Sequence, residues 1–393
     1  MRIAYLTHYA ELYGANRSLL DLVLELRRRG EVEPLVLLPR EGPLTERLAA
    51  EKIPFRVAPW RPWMSERRYM GRIHHRIGQY LRYERAARER ATHNRGMMPE
   101  VLRMLHGQCI EAVHVNSAAV GITALLEEQL RIPLVWHIRE LPERQYLLHI
   151  DAGRRRYGKA LRKATRLIAI SKAVQEDIRR YAGDDVRTDL IYNGVLRQAD
   201  HERLATRAHE RWTAPSPFTY LLAGLIHPGK GQEEAVRAFA IVHERCPGTR
   251  LVLAGDGKAE DLHALITQLG LRDSVELTGF VKDLEPLLLR SHALLMCSRN
   301  EAMGRVTVEG MSSGLPVIGH ASGGTVELVA DGRTGLLYPG GPGELAQRMI
   351  ALATDTARAR ALGEAAMRDA AQRFNVERYA NEVLGVYRAL PGA

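Results

Sequence analysis

Four residues in this sequence are of types that can hold or transfer an activated group. Glu301 and Glu309 stand eight positions apart, the first in the polar turn Arg299-Asn300-Glu301, the second inside a helix predicted over Val306–Ser313. At roughly 100° per residue they do not share a helical face, so they do not read as a paired acid and base. They read as contacts to different parts of one ligand, or as solvated charges. Lys230 lies between Gly229 and Gly231, just ahead of another predicted helix. A mobile point charge beside helix N-terminal N–H groups suits phosphate. It is not a Walker A loop, because that spacing and the Lys-Ser/Thr pair are absent. His137 closes the apolar run Pro133-Leu134-Val135-Trp136. It reads as a core histidine or, from its place at the carboxyl end of a strand, as a functional one.

The elements that must position these groups form a repeating pattern. Ala293–Ser298 is apolar enough for a buried strand. A polar loop, Gly304 and the predicted helix follow; Gly314 suits the helix stop, and Pro316 precedes a new strand at Val317. Strand, loop, helix and strand place Glu301 where open parallel sheets bind ligands. The chain begins the same way, with a strand over Arg2–Thr7, a turn at Tyr13-Gly14-Ala15-Asn16, and helical spacing to Arg28. A second start lies at Tyr220–Gly224, leading into Leu225–Gln232. Between them, Leu167–Ser171 reads as a strand whose Ser171 caps the next helix. Leu196–Pro217 reads as linker and flanks. Asn375 is the expected cap of a last helix over Val376–Leu390.

The run Glu-Ala-Met-Gly-Arg-Val-Thr-Val-Glu, followed by Gly-Met-Ser-Ser-Gly-Leu-Pro-Val-Ile and Ser322-Gly323-Gly324, resembles the Glu-x7-Glu region of retaining glycosyltransferases of family 4. The resemblance implies an α/β protein of the GT-B fold: two facing Rossmann-like domains with parallel sheets and an interdomain cleft. Their expected limits are 1–205 on the acceptor side, with 375–393 crossing back to it, and 206–374 on the donor side. It implies a nucleotide-diphosphate sugar as donor, a UDP-sugar before a GDP-sugar, with no metal and no other cofactor. His137 and Glu301 would be catalytic. Gly14, Lys230, Gly304, Arg305, Val306 and Glu309 would bind the donor, with Lys230 on the diphosphate, Glu309 on the ribose and Glu301 on the sugar. The chain departs from the family at Leu225, where an Arg commonly shares the phosphates. Arg305 is the expected substitute. A nucleotide-sugar epimerase, a phosphorylase, or a non-catalytic lipid- or nucleic-acid-binding protein are the rival readings.

Composition bounds the remainder. A chain of 393 residues with 46% hydrophobic residues can build two cores. Three scattered cysteines give no disulfide framework or zinc pattern, so the expected compartment is a reducing cytoplasm. The net charge of +10 favours acidic partners. Between Arg61 and Arg103 stand eleven arginines against four glutamates, with Trp60, Trp63, Tyr69, Tyr80 and Tyr83 interleaved. This segment is expected to be a solvated helical face or a peripheral contact with an anionic membrane carrying the acceptor. No nucleic-acid recognition motif accompanies it.

Overall fold

A computed structural model describes residues 1–66, 73–151, 153–213 and 216–391. Arg67, Arg68, Tyr69 and Arg72 of the basic segment, the side chain of Arg76, the linker residues Ala214 and Pro215, and Gly392 and Ala393 lie outside the described residues. The chain divides into two compact units: Met1–Gly194 together with Glu377–Ala393, and Val195–Val376.

The first boundary falls earlier than 205. The stretch read as linker holds a helix, Gln198–Arg207, that packs on the helices Arg305–Ser312 and Thr356–Arg373 of the second unit. Arg203 adds two 2.7 Å hydrogen bonds to the Glu285 carboxylate. The terminal helix Val376–Arg388 belongs to the first unit from Glu377 onward. Its Tyr379, Ala380, Val383, Leu384 and Tyr387 are buried, which is the spacing of one helical stripe.

The first unit is built on seven parallel strands. Across the sheet they run Phe55–Val57, Glu33–Leu38, Arg2–Leu6, Ala112–Val115, Leu134–Ile138, Arg166–Ala169 and Thr188–Leu190. The second unit has six, in the order Val275–Gly279, Arg250–Ala254, Thr219–Ala223, Ala293–Met296, Val317–His320 and Gly335–Tyr338, again all parallel. The central strands are buried along nearly their whole length, as expected for sheets covered on both faces. Both orders run out through the first strand and reverse there. Each unit therefore has a topological switch point beside its first strand, where a doubly wound sheet opens a crevice at the strands' carboxyl ends.

A two-stranded antiparallel ribbon, Met64–Glu66 with Leu148–Ile150, stands apart from the first sheet. It flanks the helix Ile73–Leu105. Trp60 and Trp63 of the basic segment are core residues, and the Trp63 indole donates to the Ala118 carbonyl at 2.6 Å. Among the described residues no helix is long and apolar enough to cross a membrane.

Candidate functional site

In the second unit, two loops meet at the switch point because their contact positions carry no side chain. Gly231 has φ 75°, and a Cβ there would lie 2.6 Å from the Cys297 Cβ and 2.8 Å from its carbonyl oxygen. Gly323, at φ 57°, would put a Cβ 2.5 Å from the Glu301 carbonyl oxygen. The 322–324 segment holds the Glu301 loop in place: Ser322 Oγ accepts from the Asn300 N–H at 2.9 Å, and the Gly324 N–H donates to the Glu301 carbonyl at 2.6 Å. His320 Nδ1 fixes that hydroxyl at 2.8 Å.

Two cation–carboxylate pairs result. Lys230, on a single 3-10 turn over Pro228–Lys230, sends its ammonium to Glu301 Oε2 at 2.7 Å. Arg305 opens the helix Arg305–Ser312 after Gly304, whose backbone is left-handed at φ 85°. Its Nε lies 4.0 Å from Glu309 Oε1, and its Nη2 donates to the Val195 carbonyl at 3.2 Å. Both Arg305 and Glu309 side chains are less than a tenth exposed. Gly304 and Val306 are half-buried on the first turn, where helix N–H groups lack internal acceptors. Leu225 projects 51% exposed. The unit thus brings Lys230, Glu301, Gly304, Arg305, Val306 and Glu309 to one end of one sheet.

In the first unit, Gly14 is exposed and starts the helix Gly14–Arg28. The turn before it is pinned by Asn16, which accepts from the Thr7 hydroxyl at 2.6 Å and donates to the carbonyls of Tyr9 and Glu11. His137 lies near the carboxyl end of its strand, as the fourth of five residues in Leu134–Ile138, and it is fully buried. Its ring packs beside His114 and Tyr379. Burial, the Arg139 charge and His114 hold its pKa well below the ordinary imidazole value, so the ring is neutral. Its Nε2 has no hydrogen-bond partner among the described residues, while its Nδ1 faces a charged neighbour.

That neighbour is Arg139, which passed unnoticed in the sequence. It is buried, donating from Nε to Asn116 Oδ1 at 2.6 Å, from Nη1 to Asn193 Oδ1 at 2.5 Å and from Nη2 to the Tyr379 hydroxyl at 2.8 Å. Its Nη2 also faces His137 Nδ1 at 3.3 Å. Glu140 follows, accepting from the Ser117 hydroxyl and the Ala119 N–H, and burial raises its pKa. The available signal was position: Arg139 and Glu140 directly follow the strand that carries His137.

Two such units, the second with paired cations and carboxylates at its switch point, define a protein of two Rossmann-like, doubly wound units. Comparison narrows this. The family described as Glycosyl transferase 4-like domain matches residues 13–194, and Glycosyl transferases group 1 matches 207–369. The chain is 28% identical over 239 residues to an alpha-D-kanosaminyltransferase of Streptomyces kanamyceticus, covering 59% of this chain and 62% of that protein. It is 33% identical over 245 residues to a D-inositol 3-phosphate glycosyltransferase of Streptomyces avermitilis, covering 58% and 52%. The matched region thus spans only about half to three-fifths of these relatives. The crystal structure of Anabaena Alr3699/HepE in complex with UDP and glucose superposes with a TM-score of 0.76 at 25% identity, covering 99% of this chain and all of the other. A sucrose-phosphate synthase from Thermosynechococcus elongatus shares the fold, with a TM-score of 0.73 at 19% identity. Each half of the chain thus matches a glycosyltransferase family, and the fold is that of the GT-B glycosyltransferases.

Proposed function

We propose that this chain is a retaining, metal-independent glycosyltransferase of family 4 that takes a sugar from a nucleotide-diphosphate donor, a UDP-sugar in preference to a GDP-sugar. The observation that carries the proposal is the grouping of Lys230, Glu301, Arg305 and Glu309 at one switch point. The likeness to a structure holding UDP and glucose supports it. Cleavage of the bond from the anomeric carbon to the diphosphate oxygen leaves negative charge on the leaving group and positive charge on the sugar ring. Fixed charges placed where these develop supply most of the needed stabilisation. Lys230 and the N–H groups at Gly304–Val306 meet the diphosphate, and Glu301 faces the ring. Glu309, deep in the helix, accepts from the ribose hydroxyls. Arg305 is held between Glu309 and the Val195 carbonyl, so its part is to orient Glu309 more than to replace the missing Arg at Leu225.

The first unit takes the acceptor, a glycan, lipid-linked or small molecule, with contact to an anionic membrane through the 61–103 segment at the cytoplasmic face. Gly14 lets the backbone approach the ligand there. The test is a thermal-shift panel of UDP, GDP and their sugars with chelator present. UDP and a UDP-sugar should raise Tm most, since a ligand at ~100 Kd adds about 2.7 kcal/mol. No shift with any nucleotide would refute the reading.

A further inference from the structure

Nine large hydrophobic side chains are exposed among the described residues, and five of them lie on the helix Ile73–Leu105 and at the ribbon of the first unit. Ile77, Tyr80 and Leu81 lie at i, i+3 and i+4 on the opening turns of the helix Ile73–Leu105, exposed by 57%, 48% and 62%. Such spacing sets them on adjoining positions of one helix. Tyr146 and Leu147, 45% and 63% exposed, form the tip just before the strand Leu148–Ile150. Leu147 holds a left-handed backbone, φ 51°, that a leucine rarely adopts. The strand fixes where this tip lies. His149 contacts Tyr83 (ring centroids 6.0 Å) and Glu84 (3.6 Å), while Asp151 binds Arg90 at 2.6 Å. Lower numbers on the strand therefore meet lower numbers on the helix, which brings Tyr146 and Leu147 to the turns that carry Ile77, Tyr80 and Leu81.

Cations surround this apolar group. Arg82, Arg85 and Arg88 are exposed on the following turns. The ribbon strand leads directly to the helix Gly153–Lys163, whose Arg154, Arg155, Arg156, Lys159, Arg162 and Lys163 are all exposed and which carries no acidic residue. Arg85, Arg154, Arg162 and Lys163 pair with Glu89, Glu143, Asp185 and Glu128, but cations still outnumber the acids around the apolar group. An exposed apolar stripe flanked by an excess of positive charge is the pattern of a helix lying in a lipid interface. The apolar tips enter the acyl boundary while the arginines meet anionic headgroups. A nucleic acid or acidic protein would match the charge but leave five apolar side chains in water.

We infer that Ile77, Tyr80, Leu81, Tyr146 and Leu147, with the arginines around them, form a membrane-docking surface for anionic lipid. The inference deepens the acceptor side of the proposed function and rests on it only for what the membrane presents. Within the 61–103 segment the contact falls on the exposed opening turns of the helix, whereas Trp63, Ala87, Asn94, Met98 and Val101 are buried in the first unit.

Flotation of the full chain with phosphatidylcholine vesicles, with and without about 30 mol% phosphatidylglycerol, tests it. The chain should bind the anionic vesicles and lose binding as salt rises. The double variant Leu81→Glu, Leu147→Glu should bind at least about tenfold more weakly, with UDP affinity and Tm kept as proof of an intact fold. Equal binding of wild type and double variant, or capture by the acidic polymer dextran sulfate with none by vesicles, would overturn the inference. Lost vesicle binding with UDP affinity intact leaves the transferase reading standing; lost UDP affinity in the wild type refutes that reading instead.

Discussion

The Lys230 ammonium donates to Glu301 Oε2 at 2.7 Å, so the cation assigned to the diphosphate is already neutralised by the carboxylate assigned to the sugar. Both side chains are largely enclosed, 27% and 9% exposed, which makes the pair stronger than a surface salt bridge. A diphosphate must compete with Glu301 for Lys230, and the sugar then takes up the released carboxylate.

The competition gives opposite signs for two substitutions. Lys230→Ala should weaken UDP binding by roughly tenfold or more, a charge-assisted contact of about 1.5–3 kcal/mol. Glu301→Gln removes the competitor and should leave UDP affinity equal or higher. Calorimetric titration of both variants with UDP measures this. Parallel losses in the two would contradict the competition.

Glu309 should fail in another way. It lies buried within the helix, 4.0 Å from Arg305, away from the loop that carries Glu301. In the proposed ribose role its contacts are the same in ground and transition states, so Glu309→Gln should raise donor KM with a small change in kcat. Steady-state kinetics checks this, and a fall in kcat at unchanged KM would refute the ribose role.

A pH effect is expected away from the site. Among the described residues neither carboxyl oxygen of Glu127 has a hydrogen-bond partner, and burial pushes its pKa up to about 8. The folded state therefore keeps a proton that the unfolded chain releases near pH 4.5. Stability from this group is present below about pH 4.5 and is lost as pH rises towards 8. Glu127→Gln, a neutral stand-in, should be more stable than wild type above pH 8 and lose that advantage in acid. Urea unfolding across this range should show the crossing; parallel curves would contradict it.

The fold was legible where local chemistry and global placement agree. Ala293–Met296, the helix stop at Gly314 with φ 75°, and Ser171 as cap, accepting from the Val174 N–H, all follow from short-range rules. The Gly323-Gly324 loop was legible as a motif, though its reason, backbone packed on Glu301, needed coordinates. Arg139 was not legible, because its partners Asn116, Asn193 and Tyr379 come from three distant parts of the chain. The burial of His137 was not legible, because it depends on His114 and the terminal helix. The ribbon Met64–Glu66 with Leu148–Ile150 joins strands of three residues each, too short to show a period.

The central claim is that Glu301 stabilises positive charge that grows on the sugar as the diphosphate departs. Turnover of a UDP-sugar, followed as UDP release by wild type and Glu301→Gln, with donor Kd measured in parallel, tests it most directly. The account predicts a fall in kcat of about 10²-fold or more, roughly 2.7 kcal/mol of transition-state stabilisation, at nearly unchanged donor affinity. A Glu301→Gln enzyme that turns over at the wild-type rate would contradict it.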